Sequence, residues 1–427
     1  MEILVIFGCV LVLVLLNIPI AVALGIVAVA ALILAQGLST LPNLPIVVYN
    51  GATNFPLIAI PLFILAGSIM NASGISRRLI AFASAVLGWI RGGLWIVSIG
   101  TSMFFAEISG SAVADVAALG SVLIPAMERR GYSKEFACAV MSSSATLAVI
   151  IPPSIPMILY AVIAGTSVVQ LFVAGIVPGI IGGLGLMGMA YWFARRYDFP
   201  VEESFRLTHV WKTFKEAIWA FVMPVIILGT IFGGVVTATE GAAMAVAAAL
   251  AIGLFVYREL DLAHLRDAVI EGGVQTAVVM LLVATSALLG VYLTEAQVPQ
   301  QLAASVAAFT TNKWVVLAIL NVLFLILGLF LHSAAAIILT VPVVMPLVNA
   351  AGIDPVHFGL IVTINLGIGQ QTPPVASVLM TACAIGKADM WEVTKINVWF
   401  VAVLMAVLLL VTYVPVTGMG LVDLFYR

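Results

Sequence analysis

The chain has 427 residues, 63% of them hydrophobic and only 8% charged, with a formal net charge of −2 and a mean hydropathy of +1.24. A soluble domain carries roughly 25% charged residues, so a water-soluble globule is excluded, and with no large basic block no nucleic acid is expected as a partner. Apolar runs of spanning length recur along the whole chain, without the alternating segments of about ten residues that a barrel needs, which predicts an all-α polytopic membrane protein.

The N-terminal Met1-Glu2-Ile3 has no basic segment before its apolar run, so it reads as a first membrane helix and not as a cleaved signal peptide. Spans are predicted at 3–17, 19–36, 57–73, 136–168, 171–194, 216–236, 240–257, 271–293, 356–385 and 394–416. Segments 75–92 and 296–312 read as interfacial helices; the first is amphipathic, with Arg77, Arg78, Trp89 and Arg91. Regions 93–128 and 314–349 are apolar but interrupted midway by small polar residues. Each half is roughly 15 residues, or about 22 Å at 1.5 Å per residue, short of the roughly 30 Å hydrocarbon core. Both are therefore read as re-entrant helical hairpins, which persist only where they are buried or line a cavity. Cys9, Cys138 and Cys383 lie in apolar runs with no metal or disulfide spacing and read as small hydrophobes.

One pattern ties these elements together. Ile124-Pro125, Arg130-Gly131, Ile151-Pro152-Pro153 and Gly165 recur as Met345-Pro346, Ala351-Gly352, Thr372-Pro373-Pro374 and Gly386, at a constant offset of 221 residues. A duplicated pattern of broken helices in so apolar a chain points to a transporter built from two repeats. Arg91, Arg129, Arg130 and Lys134 flank the first hairpin, so both its ends are cytoplasmic by the positive-inside rule. Only Lys313 flanks the second, whose ends are placed outside. Hairpins that enter from opposite faces are what inverted repeats require. Counting spans from the basic stretch Arg195, Arg196, Arg206, Lys212 and Lys215 puts both termini outside, in the periplasm.

The polar residues of the breaks are the candidates for chemistry. In Ser109-Gly110-Ser111 a serine can cap the returning helix, with Asp115 in its first turn, where a carboxylate suits the helix dipole. Hydroxyls, carbonyls and one carboxylate make a hard-oxygen site for a monovalent cation, and an intramembrane Asp is costly enough to suggest function. After Ser142, Ser143 and Ser144, the pair Pro152-Pro153 removes two amide donors and frees carbonyls one turn earlier. The second copy is more polar, with Asn365, Gly367, Gly369, Gln370, Gln371 and Thr372, and Thr372 is placed to cap a half-helix beginning at Pro373. No Lys or Arg occurs at 135–194 or 314–386, so an anion bound there relies on helix dipoles, hydroxyls and co-bound cations. Glu107 precedes the first tip, His332 opens the second, and His357 lies near a helix end at the interface. Thr237 and Glu240 have the spacing of a capping box.

At these residues the chain resembles the large membrane subunit of tripartite ATP-independent periplasmic (TRAP) transporters. The resemblance rests on Phe104 to Asp115, Leu123 to Met127, Ile150 to Pro156, Thr237 to Glu240, Gly352 to Gly359 and Gln370 to Val375, and it covers essentially the whole chain. It implies a bacterial inner-membrane symporter in which co-transported sodium ions drive uptake of a small carboxylate delivered by a periplasmic substrate-binding protein. It also implies a separate small four-helix subunit, because no such subunit is fused ahead of the first span. Elevator motion of a transport domain holding both hairpins against a scaffold follows from the same resemblance. Cation ligands are then expected among Ser109, Gly110, Ser111, Asp115, Ser144, Pro152, Ser333, Gly367, Gly369 and Thr372, and substrate contacts among Ser111, Asp115, Ser154, His332, Asn365, Gln370 and Gln371. Many relatives have an acid where His332 stands, which implies a difference in substrate or pH response.

The expected partition is 1–92 scaffold and arm, 93–168 hairpin and broken helix, 169–312 scaffold and second arm, 313–386 second hairpin and broken helix, and 387–427 a final scaffold helix. Two alternatives stand beside this reading. One is a self-sufficient sodium/divalent-anion symporter; the other is an intramembrane hydrolase using Glu107, Asp115 and His332, which lacks any nucleophile–base spacing on one helix face.

Overall fold

The computed structural model describes residues 2–16, 18–197, 205–310 and 312–426, and every regular element among them is helical. Among the described residues, nine helices are long and apolar enough to cross a bilayer.

One group of helices gathers around Leu262–Glu295, which runs 34 residues and so extends about 51 Å. Ile20–Gln36, Leu44–Ala52 and Ala59–Ala72 lie along it, and Ala59–Ala72 also packs on Ala238–Ala251. Leu207–Phe232 joins Ala238–Ala251 to the amphipathic helix Ile75–Leu87 through Phe82, whose ring lies 5.8 Å from that of Phe214 and 5.1 Å from that of Phe221. The expected capping box is present: the Thr237 hydroxyl accepts from the Glu240 amide while the Glu240 carboxylate accepts from the Thr237 amide. At the polar edge of this group Arg77 and Arg78 share Glu259 at 2.8 Å and 2.7 Å. The hydrogen bond from Arg78, then the charges of both arginines, hold that carboxyl below its usual range. Leu38–Asn43 and Leu44–Ala52 add a short helical connection that the apolar pattern does not announce.

The second group holds both hairpins. The first runs up Gly93–Ser109, turns at Gly110 and returns over residues 112–129, passing one π-helical turn at Val116–Gly120. The second runs Lys313–Phe330 and Ser333–Ala350. These bounds fall within one residue of the expected regions, although the arms, of 17 and 18 residues, are longer than expected. Each hairpin is followed by a broken helix: Lys134–Ala145 and Leu147–Ile150 before Ile155–Ala164 in the first copy, Pro355–Gly369 before Ser377–Gly386 in the second. The offset of 221 extends to details. Gly131 and Gly352 both take left-handed φ, +85° and +64°, and the next helix in each copy is capped by a side chain, Ser133 or Asp354.

The two broken helices run antiparallel. Lys134, at the start of the first, donates to the carbonyl of Lys387, just past the end of the second. Tyr160, near the end of the first, donates to the carbonyl of Pro355, at the start of the second, at 2.7 Å. Between these ends Gly367 crosses Thr146, where an added Cβ would lie 2.9 Å from the threonine methyl. Equivalent elements in opposite directions are the arrangement that an inverted repeat produces.

Val168–Arg196 and Met390–Tyr413 pack on each other and on the broken helices. The sequence reading places both in scaffold segments; in the fold they pack on the broken helices that follow the hairpins. Small residues explain the approach of the first: a Cβ at Gly175 would lie 2.3 Å from the carbonyl oxygen of Ile150. The chain then adds Val416–Tyr426, so the last segment holds two helices and not one. Burial differs accordingly. The most apolar stretch of the first broken helix is 83% buried, that of Leu207–Phe232 only 28%. A helix covered on every side can carry serines in a membrane only if their hydrogen bonds close inside the protein.

Candidate functional site

Each hairpin tip rests on the break of its own copy. At the first tip Gly110 adopts φ +60° and its carbonyl accepts from the Ile155 amide at 3.3 Å. A Cβ here would lie 2.9 Å from the Pro153 carbonyl oxygen, so the turn needs glycine on both counts. At the second tip the Leu329 carbonyl accepts from the Val375 amide at 3.3 Å. Gly328 and Gly369 press backbone on backbone: a Cβ on Gly369 would lie 2.4 Å from the Cα of Gly328. Both tips therefore stop where a half-helix of 10 residues still continues, so the arms enter and leave on one side. The Pro152-Pro153 and Pro373-Pro374 peptide bonds are both cis.

The first break spans residues 151–154, the second 370–376. In the first, the Ser154 hydroxyl donates to the Val149 carbonyl at 2.8 Å, supplying the partner that the prolines remove. Ser144 accepts from Ser102 at 3.0 Å, which fastens the leading arm of the hairpin to the broken helix. Asn365, which stands 221 residues after Ser144, does the same in the second copy. Its amide donates to Asn321 at 2.7 Å, and Asn321 in turn donates to Thr412 at 3.2 Å. The Ser143 hydroxyl donates to Asn397 Oδ1 at 2.6 Å and lies 2.9 Å from Gln371 Oε1, while the Asn397 amide donates to the Gln371 carbonyl at 3.0 Å. The first broken helix, the second break and Met390–Tyr413 are thus stapled at one buried point. Sequence reasoning missed Ser143, Asn321 and Asn397 as functional positions. The signal available was their polarity inside spans that are otherwise apolar.

The other expected residues fall into two sets. Asp115 sits in the first turn of the return arm as expected and is fully buried. Pro152, Ser154, Ser333, Asn365, Gly367, Gly369, Gln370 and Gln371 are also buried, whereas Ser111 and Thr372 are half-buried and His332 is exposed. The side chain of Ser109 lies outside the described residues. Ser111 occupies the N-cap position without a capping hydrogen bond from its side chain.

Thr372 requires a correction. Its hydroxyl donates backwards to the Ile368 carbonyl at 2.9 Å, and the half-helix starts at Ser377 and not at Pro373. The reason is the longer break: the Val378 amide returns to the Gln370 carbonyl at 3.0 Å and closes a loop where a cap was expected. His357 is also less interfacial than expected; it is 5% exposed, with Nε2 2.8 Å from the Val411 carbonyl.

Thr101, Ser142, Thr340, Asn365 and Ser377 each keep a buried side-chain oxygen without a protein partner among the described residues. All five lie on hairpin arms or broken helices, which is the donor chemistry a hard monovalent cation takes. Among the described residues no three His, Cys, Asp or Glu side chains gather for a tighter-binding metal. Beside the return arm a cleft of about 470 Å³ separates Ala114 and Ala118 from Asn71, Arg77 and Gln275. This cleft leads from the polar edge of the first helix group toward the helix turn that carries Asp115.

Comparison with known proteins accounts for this geometry. Residues 7–417 match the family described as tripartite ATP-independent periplasmic transporter, DctM component. The chain is 41% identical to the isethionate TRAP transporter permease protein DctMQ of Oleidesulfovibrio alaskensis, over 97% of this chain and 65% of that longer one. It is 37% identical to the C4-dicarboxylate TRAP transporter large permease protein DctM of Pseudomonas aeruginosa, over 89% of each chain. It is 35% identical to the 2,3-diketo-L-gulonate TRAP transporter large permease protein YiaN of Escherichia coli, over 97% of each. The fold is shared with the Alcanivorax borkumensis YdaH transporter, whose topology is described as unusual, at a TM-score of 0.60, 15% identity and 90% coverage of both chains. Paired tips, broken helices, the family match and these relatives, each named as a permease, identify a transport protein and not an enzyme: the chain belongs to the DctM family of TRAP transporter large permeases.

Proposed function

We propose that this permease couples the inward movement of sodium ions to uptake of a small organic acid handed over by a periplasmic binding protein, with a small four-helix subunit bracing it. The observation that carries the reading is the pair of tip-to-break contacts, Gly110 with Ile155 and Leu329 with Val375, on antiparallel broken helices. In this reading the cations lie near Asp115, Ser144 and the Pro152 carbonyl in the first copy, and near Ser333, Gly367, Gly369 and Thr372 in the second. The acid meets the accessible groups Ser111 and His332, while the Asn365 amide nitrogen and the Gln371 amide oxygen hold the frame around it. The first-turn amides of Ile155 and Val378 are already taken by Gly110 and Gln370, so cations and hydroxyls supply most of the attraction for the anion. The named relatives suggest a C4-dicarboxylate, a sulfonate or a sugar acid as the class of substrate.

The hairpins, broken helices, Val168–Arg196 and Met390–Tyr413 then move as one body against the helices gathered on Leu262–Glu295, in an elevator stroke across the inner membrane, with both termini in the periplasm. Uptake into proteoliposomes holding the chain, its small subunit and the binding protein tests the coupling. Accumulation that needs an inward sodium gradient supports it; accumulation that persists without a sodium gradient and without a membrane potential rules it out. Omitting the binding protein separates this reading from a self-sufficient anion symporter.

A further inference from the structure

A second carboxylate, Glu107, stands just before the first tip, and the transport reading gives it no role. Glu107 lines a cavity of about 450 Å³ enclosed by Ile75–Leu87, the leading arm Gly93–Ser109 and Val168–Arg196, with Leu228 from Leu207–Phe232 and Ile151 and Pro152 of the first break at its inner side. Every other lining side chain is apolar. Among the described residues Glu107 makes no hydrogen bond or ion pair. A carboxyl in a hydrocarbon-like wall is costly, and by default it marks a place where something polar is met.

The rest of the wall says what that is. Phe82 and Phe104 line the cavity beside Glu107, and both pack edge-on against Phe221, which fixes their rings. Aromatic faces next to a carboxylate recognise an ammonium group. Ile180 and Leu184 also line the cavity and are 47% and 60% exposed on the helix surface, so its mouth opens toward the acyl chains of the bilayer. A volume of this size, mostly apolar with one polar group to orient the guest, is that of a small-molecule site.

We propose that this cavity binds a lipophilic amine that enters from the bilayer, with Glu107 as the counter-ion of its ammonium group and the Phe82 and Phe104 rings around its apolar body. The site is distinct from the cleft beside Asp115, and its occupancy requires neither sodium coupling nor an elevator stroke.

The test uses the full chain in nanodiscs of neutral lipid, with a fluorescent dodecylamine and the matching dodecanol derivative as probes. Saturable amine binding is expected, about 10- to 100-fold tighter than that of the alcohol, the range for losing one charge-assisted contact. Glu107→Gln should bring the amine down to the affinity of the alcohol and leave the alcohol unchanged, while Glu107→Asp keeps a preference for the amine. Glu107→Gln removes a charge from the membrane, so it folds at least as well as the parent, which its melting temperature without probe verifies. Gly100→Leu, on the cavity wall, should abolish binding of both probes. Equal amine affinity in the parent and Glu107→Gln, or amine binding that survives Gly100→Leu, means partition into the surrounding lipid and overturns the proposal.

Discussion

The two tip-to-break junctions share a backbone contact and differ in how they are closed. In the first copy residues 151–160 are buried without exception, and Ser154 satisfies the freed Val149 carbonyl within its own helix. In the second the break is longer, and His332, Pro374 and Val375 are exposed. One backbone scheme thus yields a sealed junction and an open one. The proposed substrate residue His332 lies on the open side, while cations are proposed at both junctions.

Four tests can break or sharpen that contrast. The largest effect is expected from Asp115→Asn, which should abolish sodium-dependent uptake while the protein still folds; retained sodium dependence would remove the first copy from the cation site. Next is Gly369→Ala, whose methyl would press on the Gly328 backbone. An overpacking cost of about 1–3 kcal/mol should appear in the unfolding of the purified protein and exceed that of Gly110→Ala, where a left-handed residue costs roughly 1–2 kcal/mol. If the order is reversed, the first junction is the tighter one. Asn397→Ala takes the partner from the buried Gln371 carbonyl and one of the two acceptors from Ser143, at about 1–3 kcal/mol, whereas Ser102→Ala deletes one hydroxyl pair at about 1 kcal/mol; equal losses would mean that Asn397 staples nothing. Smallest in stability is His332→Asn, within about 0.5 kcal/mol because the side chain is exposed. It should nevertheless raise the substrate concentration needed for half-maximal uptake, and an unchanged value would take His332 out of the substrate path.

The sequence was most legible where the backbone breaks. Proline and glycine act locally, so the offset of 221 and the hairpin bounds were visible in it, as was the Thr237–Glu240 box, whose two residues are three apart. The staple was hidden because Ser143, Gln371 and Asn397 lie far apart in the sequence and meet only when the first broken helix, the second break and Met390–Tyr413 pack together. Thr372 misled for a related reason. Its spacing from Pro373 is right for a cap, but the bond from Val378 to Gln370 closes the break first. Asn365 and Gln371 were legible as important and not as frame-holding, since sequence does not reveal which way an amide is already spent.

The antiparallel broken helices have a consequence for how the chain is made. Lys134 finds its partner carbonyl 253 residues later, and Tyr160 finds Pro355 195 residues later. At about 5–20 residues per second on the ribosome, the first half stands in the bilayer for on the order of ten to fifty seconds before its other half exists. During that wait Ser143 lacks its partners Gln371 and Asn397, so truncation after the first repeat should leave a product that is cleared by proteolysis and does not persist as a half-transporter.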